Sequence, residues 1–559
     1  MRQMRSPLIV LLLVYFLSIL ALVFVPGEDA SGLPTRMSVL DAAYFVAILS
    51  TTIGLGEVPF PFTGAQRFIV LLILFPNVIA WLYSIGAMLR LFVDPRFKAV
   101  LERSRFRRQV RWIGEPFYLI CGFGQSGSMI ARGLIKRGER VVVVEQDPDV
   151  VGRELLHDQF AHMPILTGDS TIRENLELSG LHKDNCCGVI AATNDDHANL
   201  TIAITSKLLE PDLPVYARCA NERISANLDS FGTDQVVDPY EIFAGRLFLA
   251  LASPEKYLVQ DWLIAVPGAP LRKALKPPSG HWVVCGAGRF GSRIISALER
   301  AGQHITVIDV HPERIRKYPE GVLGRGTQAA TLEAAGISEA VGVVAGTGDD
   351  IDNLSILLTA KELNPALFMV ARQEQQQNDA LFVASGAQLI AQPTLIVARR
   401  VLGVSTTPLL KTFLEHLVHQ DADFTSRARH LLHERLGNRA PVIWVNELSA
   451  EAARGVIATC EEGIELQLDH LLHNTRSGHD EQLRCVCLVL ERGAQRFFLP
   501  HPEQALKAGD RLLFAGRSDA RDEITRALAD PVLLLDYVTP DNMPRTALGR
   551  WLKRHQSTH

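Results

Sequence analysis

Two glycine-rich segments have the residue types and the spacing of a turn that binds phosphate. They read Gly122-Phe123-Gly124-Gln125-Ser126-Gly127 and Gly286-Ala287-Gly288-Arg289-Phe290-Gly291. In such a turn the three glycines permit a tight bend, the close approach of a pyrophosphate and the packing of a helix on a strand. The phosphate then lies at the positive N-terminus of the following helix. A turn kept only for helix packing is the alternative at both places.

An acidic residue follows each turn at the distance expected for a ribose partner. Glu145 and Asp309 each stand 18 residues after the third glycine, at the end of a second apolar strand. A carboxylate at this position bonds ribose hydroxyls and repels a 2′-phosphate. The two turns therefore favour NAD or an adenine nucleotide over NADP.

A third segment could bind a dehydrated cation with its main chain. It reads Thr52-Ile53-Gly54-Leu55-Gly56-Glu57. Glycines at alternate positions permit the backbone angles that keep successive carbonyls aligned. Four copies around an axis would replace the hydration shell of K⁺ with rings of carbonyl oxygens, to which Thr52 could add its hydroxyl. The sequence thus predicts K⁺ sites from Thr52 to Leu55, with a loop that binds no ion as the alternative.

This segment lies between two uncharged runs that are long enough to cross a membrane. Residues 8–25 and 68–89 contain 18 and 22 residues without a charge, and a helix of about 20 residues spans the bilayer core. Residues 37–50 are helix-compatible but too short to cross. Because irregular backbone at membrane depth must be buried or line a cavity, this order of segments predicts a pore loop. A secretory signal peptide is the alternative for the first run.

Basic residues flank both runs and predict their orientation. Arg2 and Arg5 precede the first run, and eight basic residues between 90 and 111 outnumber two acidic ones after the second. By the positive-inside rule both ends face the cytoplasm, which predicts a multi-pass protein of the plasma (inner) membrane. A linker helix that faces anionic lipid also explains the basic residues. Gly86, in the second run, could be a gating hinge or could permit close helix packing.

Composition excludes several other classes of protein. The chain has 559 residues, of which 47% are apolar and 21% are charged, and its net charge is −4. These values exclude disorder throughout the chain and a globally basic nucleic-acid binder. The eight cysteines form no Cys-x-x-Cys pair, so neither a zinc site nor a disulfide framework is supported. Cys121 and Cys285 end apolar strands and are predicted to be buried thiols.

The second glycine turn belongs to a repeat of the first, displaced by 164 residues. The correspondence continues beyond the turn, since residues 192–196 match 346–350 and Arg218 matches Arg372. A repeat of this length predicts two doubly wound α/β units. Arg218 and Arg372 each end an apolar strand, where they could reach phosphate or form a salt bridge between the units.

The motifs resemble those of known potassium channels. Residues 8–93 resemble the span–pore–span module, whose usual signature is TVGYGD; here Leu55 replaces the tyrosine and Glu57 replaces the aspartate at the outer mouth. Residues 116–405 resemble tandem RCK domains (regulators of potassium conductance), which are similar to Trk-type subunits. Residues 437–530 resemble the ligand-binding lobe that follows such domains. The chain is therefore similar to prokaryotic two-span potassium channels with two RCK domains per subunit.

The resemblance implies a fold class and a function. The expected fold is an α-helical pore module of two spans and a pore helix, then two Rossmann-like α/β RCK domains and a small α+β C-terminal lobe. The expected function is a homotetrameric K⁺ channel in the lipid bilayer, opened or closed when NAD, ADP or ATP binds its cytoplasmic RCK ring. No enzymatic activity and no nucleic-acid partner are expected, and Ca²⁺ regulation is possible without a located site. A regulatory subunit of a potassium transporter and a membrane-anchored NAD-dependent oxidoreductase are the alternatives.

The resemblance also implies domain bounds. They are a transmembrane pore module (1–93), a linker (94–115), RCK domain 1 (116–262), an inter-domain linker (263–280), RCK domain 2 (281–436), a C-terminal lobe (437–535) and a tail (536–559).

Further nucleotide-binding residues are implied in each RCK domain. In the first they are Gln146, Asp169, Ser170, Thr193, Asn194 and Arg218; in the second they are Arg325, Thr347 and Arg372. In the family, an aspartate at the position of Asp169 lines the nucleotide pocket. Arg325 takes that place in the second domain, and Arg289 in the second glycine turn adds another positive charge. The second site would therefore suit a more anionic ligand, or be a degenerate structural site.

Overall fold

A computed structural model describes residues 2–29, 33–54, 56–57, 60–93, 95–265, 267–271, 275–449, 451–461, 464–475 and 481–538. The chain divides after Trp112 into two compact units, and each is described here by itself. Leu55 and the predicted tail beyond residue 538 lie outside the described residues.

The first unit contains two long apolar helices with a short helix between them. In chain order it has α1 (Arg2–Phe24), β1 (Pro26–Glu28), β2 (Pro34–Arg36), α2 (Val39–Ser50), α3 (Gly64–Val93) and α4 (Pro95–Arg111). Residues 5–24 and 64–90 have mean hydropathies of 2.9 and 2.3, and only 17% and 11% of their most apolar windows are buried. Apolar side chains that face outward along a helix of this length suit a bilayer. The two predicted spans therefore correspond to α1 and α3.

The short helix α2 is held against both long helices. It begins at Ser38, whose side chain accepts a hydrogen bond from the main-chain N–H of Asp41 at 3.1 Å. Its 12 residues cover about 18 Å, too little for a bilayer core about 30 Å thick. Its buried face includes Val46 and Phe45, and the Phe45 ring meets Phe62 edge-on with 4.8 Å between centroids. The glycine-rich segment begins where this helix ends.

Two six-stranded sheets form most of the second unit. The first α/β domain has β3 (Phe117–Cys121), α5 (Gln125–Lys136), β4 (Arg140–Glu145), α6 (Pro148–Glu154), a 3-10 turn (Asp158–Phe160), β5 (Ile165–Thr167), α7 (Arg173–Leu178), β6 (Cys186–Ala191), α8 (Asp196–Leu209), β7 (Val215–Arg218), α9 (Glu222–Ser230), β8 (Gln235–Val237), α10 (Pro239–Ala252) and α11 (Pro254–Ile264). The second α/β domain has β9 (His281–Cys285), α12 (Arg289–Arg300), β10 (His304–Asp309), α13 (Pro312–Ile315), β11 (Val322–Leu323), α14 (Ala329–Ala334), β12 (Gly342–Ala345), α15 (Asp350–Leu363), β13 (Phe368–Arg372), a 3-10 turn (Gln376–Asn378), α16 (Asp379–Ser385), β14 (Leu389–Ala391), α17 (Pro393–Thr406), α18 (Pro408–His419) and α19 (Ala422–Leu436).

The two sheets have the same topology. Their strand orders are β5-β4-β3-β6-β7-β8 and β11-β10-β9-β12-β13-β14, and every pairing is parallel. The central strand β3 is buried along its whole length, as expected for a parallel sheet with helices on both faces. Because both faces of β3 are covered by helices, its sequence is apolar at every position and does not alternate. The predicted pair of doubly wound domains is confirmed.

Each α/β domain also packs a helix on the other domain. α10 lies on α12, where Phe243 contacts Phe290 with 5.6 Å between ring centroids. α17 lies on α5 so closely that a Cβ atom on Gly133 would be 2.3 Å from a methyl group of Leu402. Because α5 and α12 follow the two glycine turns, each turn is supported by a helix from the other domain.

A four-stranded antiparallel sheet completes the second unit. Its elements are β15 (Val442–Glu447), α20 (Arg454–Glu461), α21 (Leu468–Leu471), β16 (Cys485–Arg492), β17 (Gln495–Phe498), β18 (Arg511–Gly516), α22 (Ser518–Ala529) and α23 (Pro531–Val538), with strand order β15-β18-β16-β17. One face buries Leu488 and Leu513 together with Trp262 of α11, Phe413 of α18 and Leu432 of α19. The sheet thus shares one core with helices of both α/β domains. The division of the chain at the predicted domain bounds stays a prediction.

Candidate functional site

The segment after α2 has left-handed backbone at three of its described residues. The φ angles of Thr52, Gly54 and Gly56 are 58°, 67° and 94°. Glycine adopts such angles freely, whereas a β-branched threonine there is an outlier of the kind that collects at functional sites. Ile53 is exposed. The predicted ion-binding carbonyls stay a prediction, and the one at Leu55 lies outside the described residues.

Glu57 joins the end of this segment to the start of α3. Its carboxylate accepts hydrogen bonds from Arg67 Nε at 2.8 Å and Arg67 Nη2 at 3.2 Å, and from the main-chain N–H of Phe62 at 2.9 Å. The Arg67 side chain is 61% exposed, so solvent weakens the ion pair. The contact therefore adds little to the free energy of unfolding. Its main effect is to orient the loop between the glycine-rich segment and α3.

Gly86 lies inside the continuous helix α3. A Cβ atom on Gly86 would meet no described atom within 4 Å, so packing within this unit does not require glycine there. The gating hinge stays a prediction.

The first glycine turn has a steric reason for two of its three glycines. Gly122 has a φ angle of 93°, and its Cβ atom would lie 2.9 Å from the main-chain nitrogen of Thr193. A Cβ atom on Gly127 would lie 1.9 Å from the carbonyl oxygen of Gly122. Gly124 differs, because its Cβ atom would meet no described atom within 4 Å and it precedes α5 without a side-chain cap. The open space and the uncapped N–H groups are what a pyrophosphate needs.

The side chains of this turn have different surroundings. Phe123 is buried and its ring meets Phe160 edge-on at 5.2 Å, so its side chain belongs to the core. Ser126 is buried, whereas Gln125 and Gln146 are exposed. Glu145 accepts hydrogen bonds from the main-chain N–H groups of Phe123 and, at 2.9 Å, Asp147. The predicted ribose partner therefore lies directly beside the turn.

The remaining predicted residues of the first site lie at the carboxyl ends of β5, β6 and β7. Asp169 accepts hydrogen bonds from Thr171 through its main-chain N–H at 2.8 Å and its hydroxyl at 2.7 Å, and Ser170 beside it is buried. Arg218 donates to the side chain of Asn194 and, at 3.3 Å, to the carbonyl oxygen of Thr193. All follow carboxyl ends of strands in one parallel sheet, the edge where α/β sheets bind ligands.

The second glycine turn repeats this geometry. A Cβ atom on Gly291 would lie 1.7 Å from the carbonyl oxygen of Gly286, whose φ angle is 98°. A Cβ atom on Gly288 would meet only Arg314 Nη1, at 3.8 Å. Phe290 is buried, with its ring 5.8 Å from that of Tyr240. The turn is therefore preformed, with an arginine near its open side.

The acid of the second site is covered. Asp309 accepts hydrogen bonds from the main-chain N–H groups of Ala287 at 2.7 Å and His311 at 2.8 Å, and from Arg314 Nη1 at 3.3 Å. Its side chain is only 3% exposed. Arg314 is not among the residues predicted from the sequence. The repeat could have found it, because the corresponding residue of the first domain, 164 positions earlier, is Val150.

The other basic residues of the second site belong to the second domain, but two of them bond to residues of the first domain. Arg289 forms an ion pair with Asp196 of the first domain at 3.4 Å, and Arg325 is exposed. Arg372 forms an ion pair with Glu374 and donates to the hydroxyl of Tyr240 in the first domain at 2.9 Å.

The sequence left open whether Arg372 forms a salt bridge between the two domains. Its contact with the first domain is a hydrogen bond to Tyr240, and its ion pair with Glu374 lies within the second domain. Thr347 donates its hydroxyl to Asn353 at 2.8 Å, as Thr193 does to Asn199 at 2.7 Å.

The described residues contain no group of three or more His, Cys, Asp or Glu side chains that could hold a metal ion. Cys121 and Cys285 are buried, as the sequence predicts. Burial raises the pKa of the Cys121 thiol well above its ordinary value and that of Cys285 to about 12. Both thiols are therefore protonated near neutral pH and serve as core residues.

Comparison with known proteins defines the class of this chain. Residues 8–94 match the family model of an ion channel, and residues 118–239 and 282–393 each match that of a TrkA-N domain. Together with the two apolar helices, these matches define a membrane protein in which an ion-channel domain precedes two TrkA-N domains.

Individual relatives agree with this class. Potassium channel protein 1 of Methanocaldococcus jannaschii is 24% identical over 258 residues, which cover 45% of this chain and 68% of that protein. An uncharacterized protein of Methanothermus fervidus is 28% identical over 242 residues, covering 43% of this chain and 37% of that protein. The chain thus spans about a third of the length of one of these relatives and about two thirds of the length of the other.

A solved structure extends the match in fold. The GsuK channel has a TM-score of 0.50 and 17% sequence identity, with 95% of this chain and 100% of that chain covered. The expected fold class and the resemblance to two-span channels with RCK domains are confirmed. The names of these three proteins give no support to the Ca²⁺ regulation that the sequence left possible.

The geometry of the first turn predicts that alanine substitutions at Gly124 and Gly127 have different effects, one on NAD binding and the other on folding. Gly127→Ala should unfold the first α/β domain, because the new Cβ atom meets main chain that cannot move away. Gly124→Ala should keep the thermal unfolding temperature but weaken NAD binding at least about tenfold, since its Cβ atom occupies the open space beside α5.

Isothermal titration and thermal unfolding of the full-length protein check this prediction. Gly152→Ala is the matched control, because its Cβ atom would also meet nothing within 4 Å but it lies in α6. NAD affinity unchanged in Gly124→Ala would contradict the assignment of this turn.

Proposed function

We propose that the protein is a homotetrameric K⁺ channel of the plasma membrane, with cytoplasmic termini, whose opening is controlled by nucleotides. One observation carries the proposal. A helix too short to cross a bilayer, followed by the Thr52–Glu57 segment, stands between two apolar helices in a region that matches an ion-channel family. The same chain continues into two domains whose glycine turns are preformed and have open space at Gly124 and Gly288.

The ion pathway needs four copies of the chain. The main-chain carbonyls from Thr52 to Leu55 would surround dehydrated K⁺ when four segments meet on one axis. Left-handed backbone at Thr52, Gly54 and Gly56 supports this role. The potassium channel of Methanocaldococcus jannaschii among the relatives supports K⁺ as the permeant ion.

The α/β domains would form a regulatory ring. A nucleotide shifts the closed–open equilibrium only by its difference in affinity for the two shapes of the ring. A tenfold difference at one site is worth about 1.4 kcal/mol, and a tetramer offers several such sites. The nucleotide acts by binding, and no bond is made or broken in it. The helix α4 is the covalent connection between the pore module and the domains.

The two sites would take different ligands. The first has Glu145 beside its turn and Asp169 nearby, which suits the ribose hydroxyls of NAD. In the second, Asp309 is covered by Arg314, and Arg289 and Arg325 add positive charge. Guanidinium groups bind phosphate oxygens through paired hydrogen bonds. The second site therefore suits the terminal phosphates of ADP or ATP better than NAD.

The first prediction of this proposal concerns ion flow. In planar bilayers with a K⁺ gradient balanced by an opposite Na⁺ gradient, both ions being present on both sides, the purified protein should pass a current that reverses near the K⁺ equilibrium potential. Gly54→Ala should lose this selectivity, because alanine disfavours a φ angle of 67°. Gly64→Ala is the matched control, since neither Cβ atom meets a described atom within 4 Å but Gly64 has no left-handed backbone.

Silence of the wild-type protein with and without nucleotides would contradict a self-sufficient channel. It would favour a regulatory subunit that needs a partner.

The second prediction concerns ligand choice. Replacing Arg289, Arg314 and Arg325 together by the Gln, Val and Asp of the first domain should weaken ADP binding at the second site at least about tenfold, because charge-assisted hydrogen bonds to phosphate are lost. NAD stoichiometry in titration calorimetry should rise from one to two per chain.

Arg316→Val is the control for this substitution. Arg316 is exposed next to α13, so its loss removes a charge without uncovering Asp309. Unchanged ADP affinity in the triple variant would contradict the assignment of the second site.

A further inference from the structure

We propose that Asn77 is a positioning residue of the ion pathway, which holds the C-terminal end of α2 in place through a buried hydrogen-bond network. This inference rests on the proposed function as a K⁺ channel. Asn77 lies in α3, and its side chain connects all three apolar helices of the first unit. The network consists of Ser18 of α1, Ser50 of α2 and Asn77 of α3.

The contacts use most of the hydrogen-bonding capacity of the Asn77 amide. Its Nδ2 donates to Ser18 Oγ at 2.6 Å and to the carbonyl oxygen of Ile73 at 2.7 Å. Its Oδ1 lies 3.4 Å from Ser50 Oγ, whose single proton it shares with the carbonyl oxygen of Val46 at 2.7 Å, so the branch to Asn77 is the longer one. An amide has two N–H donors, and both are used here.

All three polar side chains are removed from solvent and lipid. The exposed fractions are 3% for Ser18 and 0% for Ser50 and Asn77. A polar group inside a bilayer is costly unless it is paired, and hydrogen bonds between helices are the usual pairing. Asn77 therefore faces helix neighbours within its own subunit, and its effect on ions must pass through another residue.

The position of Ser50 decides what the network controls. Ser50 is the last residue of α2 and stands two residues before Thr52, where the left-handed backbone begins. The rest of the inner face of α2 is apolar, with Ala42, Phe45 and Val46 in the core. Apolar contacts are non-directional, whereas a hydrogen bond depends on distance and angle. The branched hydrogen bond of Ser50, to Val46 within α2 and to Asn77 of α3, is thus the directional contact that is added to this apolar packing.

Pro76 makes this contact more important for α3. A proline inside a helix lacks the N–H that would bond the carbonyl four residues earlier, and it tends to kink the helix. The bond from Asn77 Nδ2 to the carbonyl oxygen of Ile73 lies in the same turn as this break. This bond anchors the Asn77 amide on its own helix beside the proline.

The test measures the ratio of K⁺ to Na⁺ permeability from reversal potentials in planar bilayers. Asn77→Leu and Ser50→Ala should each lower this ratio at least about fivefold, while the tetramer persists in native gels. A pure loss of stability would lower the amount of channel without changing the ratio. The double variant Ser50→Asn with Asn77→Ser, which exchanges the partners, should recover part of the selectivity lost in Asn77→Leu.

Ser84→Ala is the matched control. Ser84 donates to the carbonyl oxygen of Pro7 at 3.1 Å, so its hydrogen bond joins α3 to α1 and does not involve α2. Its permeability ratio should equal that of the wild type.

Two results would overturn the proposal. One is a wild-type ratio in both Asn77→Leu and Ser50→Ala. The other is an equal loss of selectivity in Ser84→Ala. If Asn77→Leu does not assemble, Ser50→Ala alone decides, because it removes one oxygen atom without adding bulk. Absence of K⁺ current in the wild type would overturn the proposed function itself, and this role with it.

Discussion

Polar main chain inside a bilayer must find its hydrogen-bond partners within the protein, and this constraint shapes the first unit. α1 and α3 satisfy their main-chain groups internally and turn apolar side chains outward. The segment from Thr52 to Gly56 cannot do so, because its backbone is left-handed at alternate residues. Such a segment is tolerated at membrane depth only where it is buried in the protein or lines a watery cavity. The buried polar network around Asn77 and the Glu57–Arg67 contact hold it from either end.

The second unit depends on a close approach of main chain to main chain at its two glycine turns. Gly127 and Gly291 bring helix and turn together at distances that no side chain permits, and the same sheet topology is used twice. Duplication leaves the scaffold unchanged while the charges at the sites diverge. Arg289 at the second turn bonds Asp196, which follows Thr193 and Asn194 of the first site. This ion pair therefore joins the second glycine turn to the domain that carries the first site.

Local sequence predicted much of this arrangement. Apolar runs of the right length predicted α1 and α3, and glycine spacing predicted both turns with their acids, because these features depend on nearby residues. Arg314 was missed because its importance depends on where α13 folds back over Asp309. The core shared by Trp262, Phe413 and Leu432 could not be predicted either, since it joins residues far apart in sequence. Domain bounds predicted from the sequence divide the chain into segments, and they do not show which segments pack together.

The central claim is that nucleotide binding at the α/β domains controls the pore of the same molecule. The most direct measurement is the open probability of single channels as a function of NAD concentration, recorded side by side for the wild type and Gly124→Ala. A change of open probability with NAD in the wild type, absent or shifted at least about tenfold in Gly124→Ala at equal conductance, is the predicted result. The same dependence on NAD in both proteins would contradict the account.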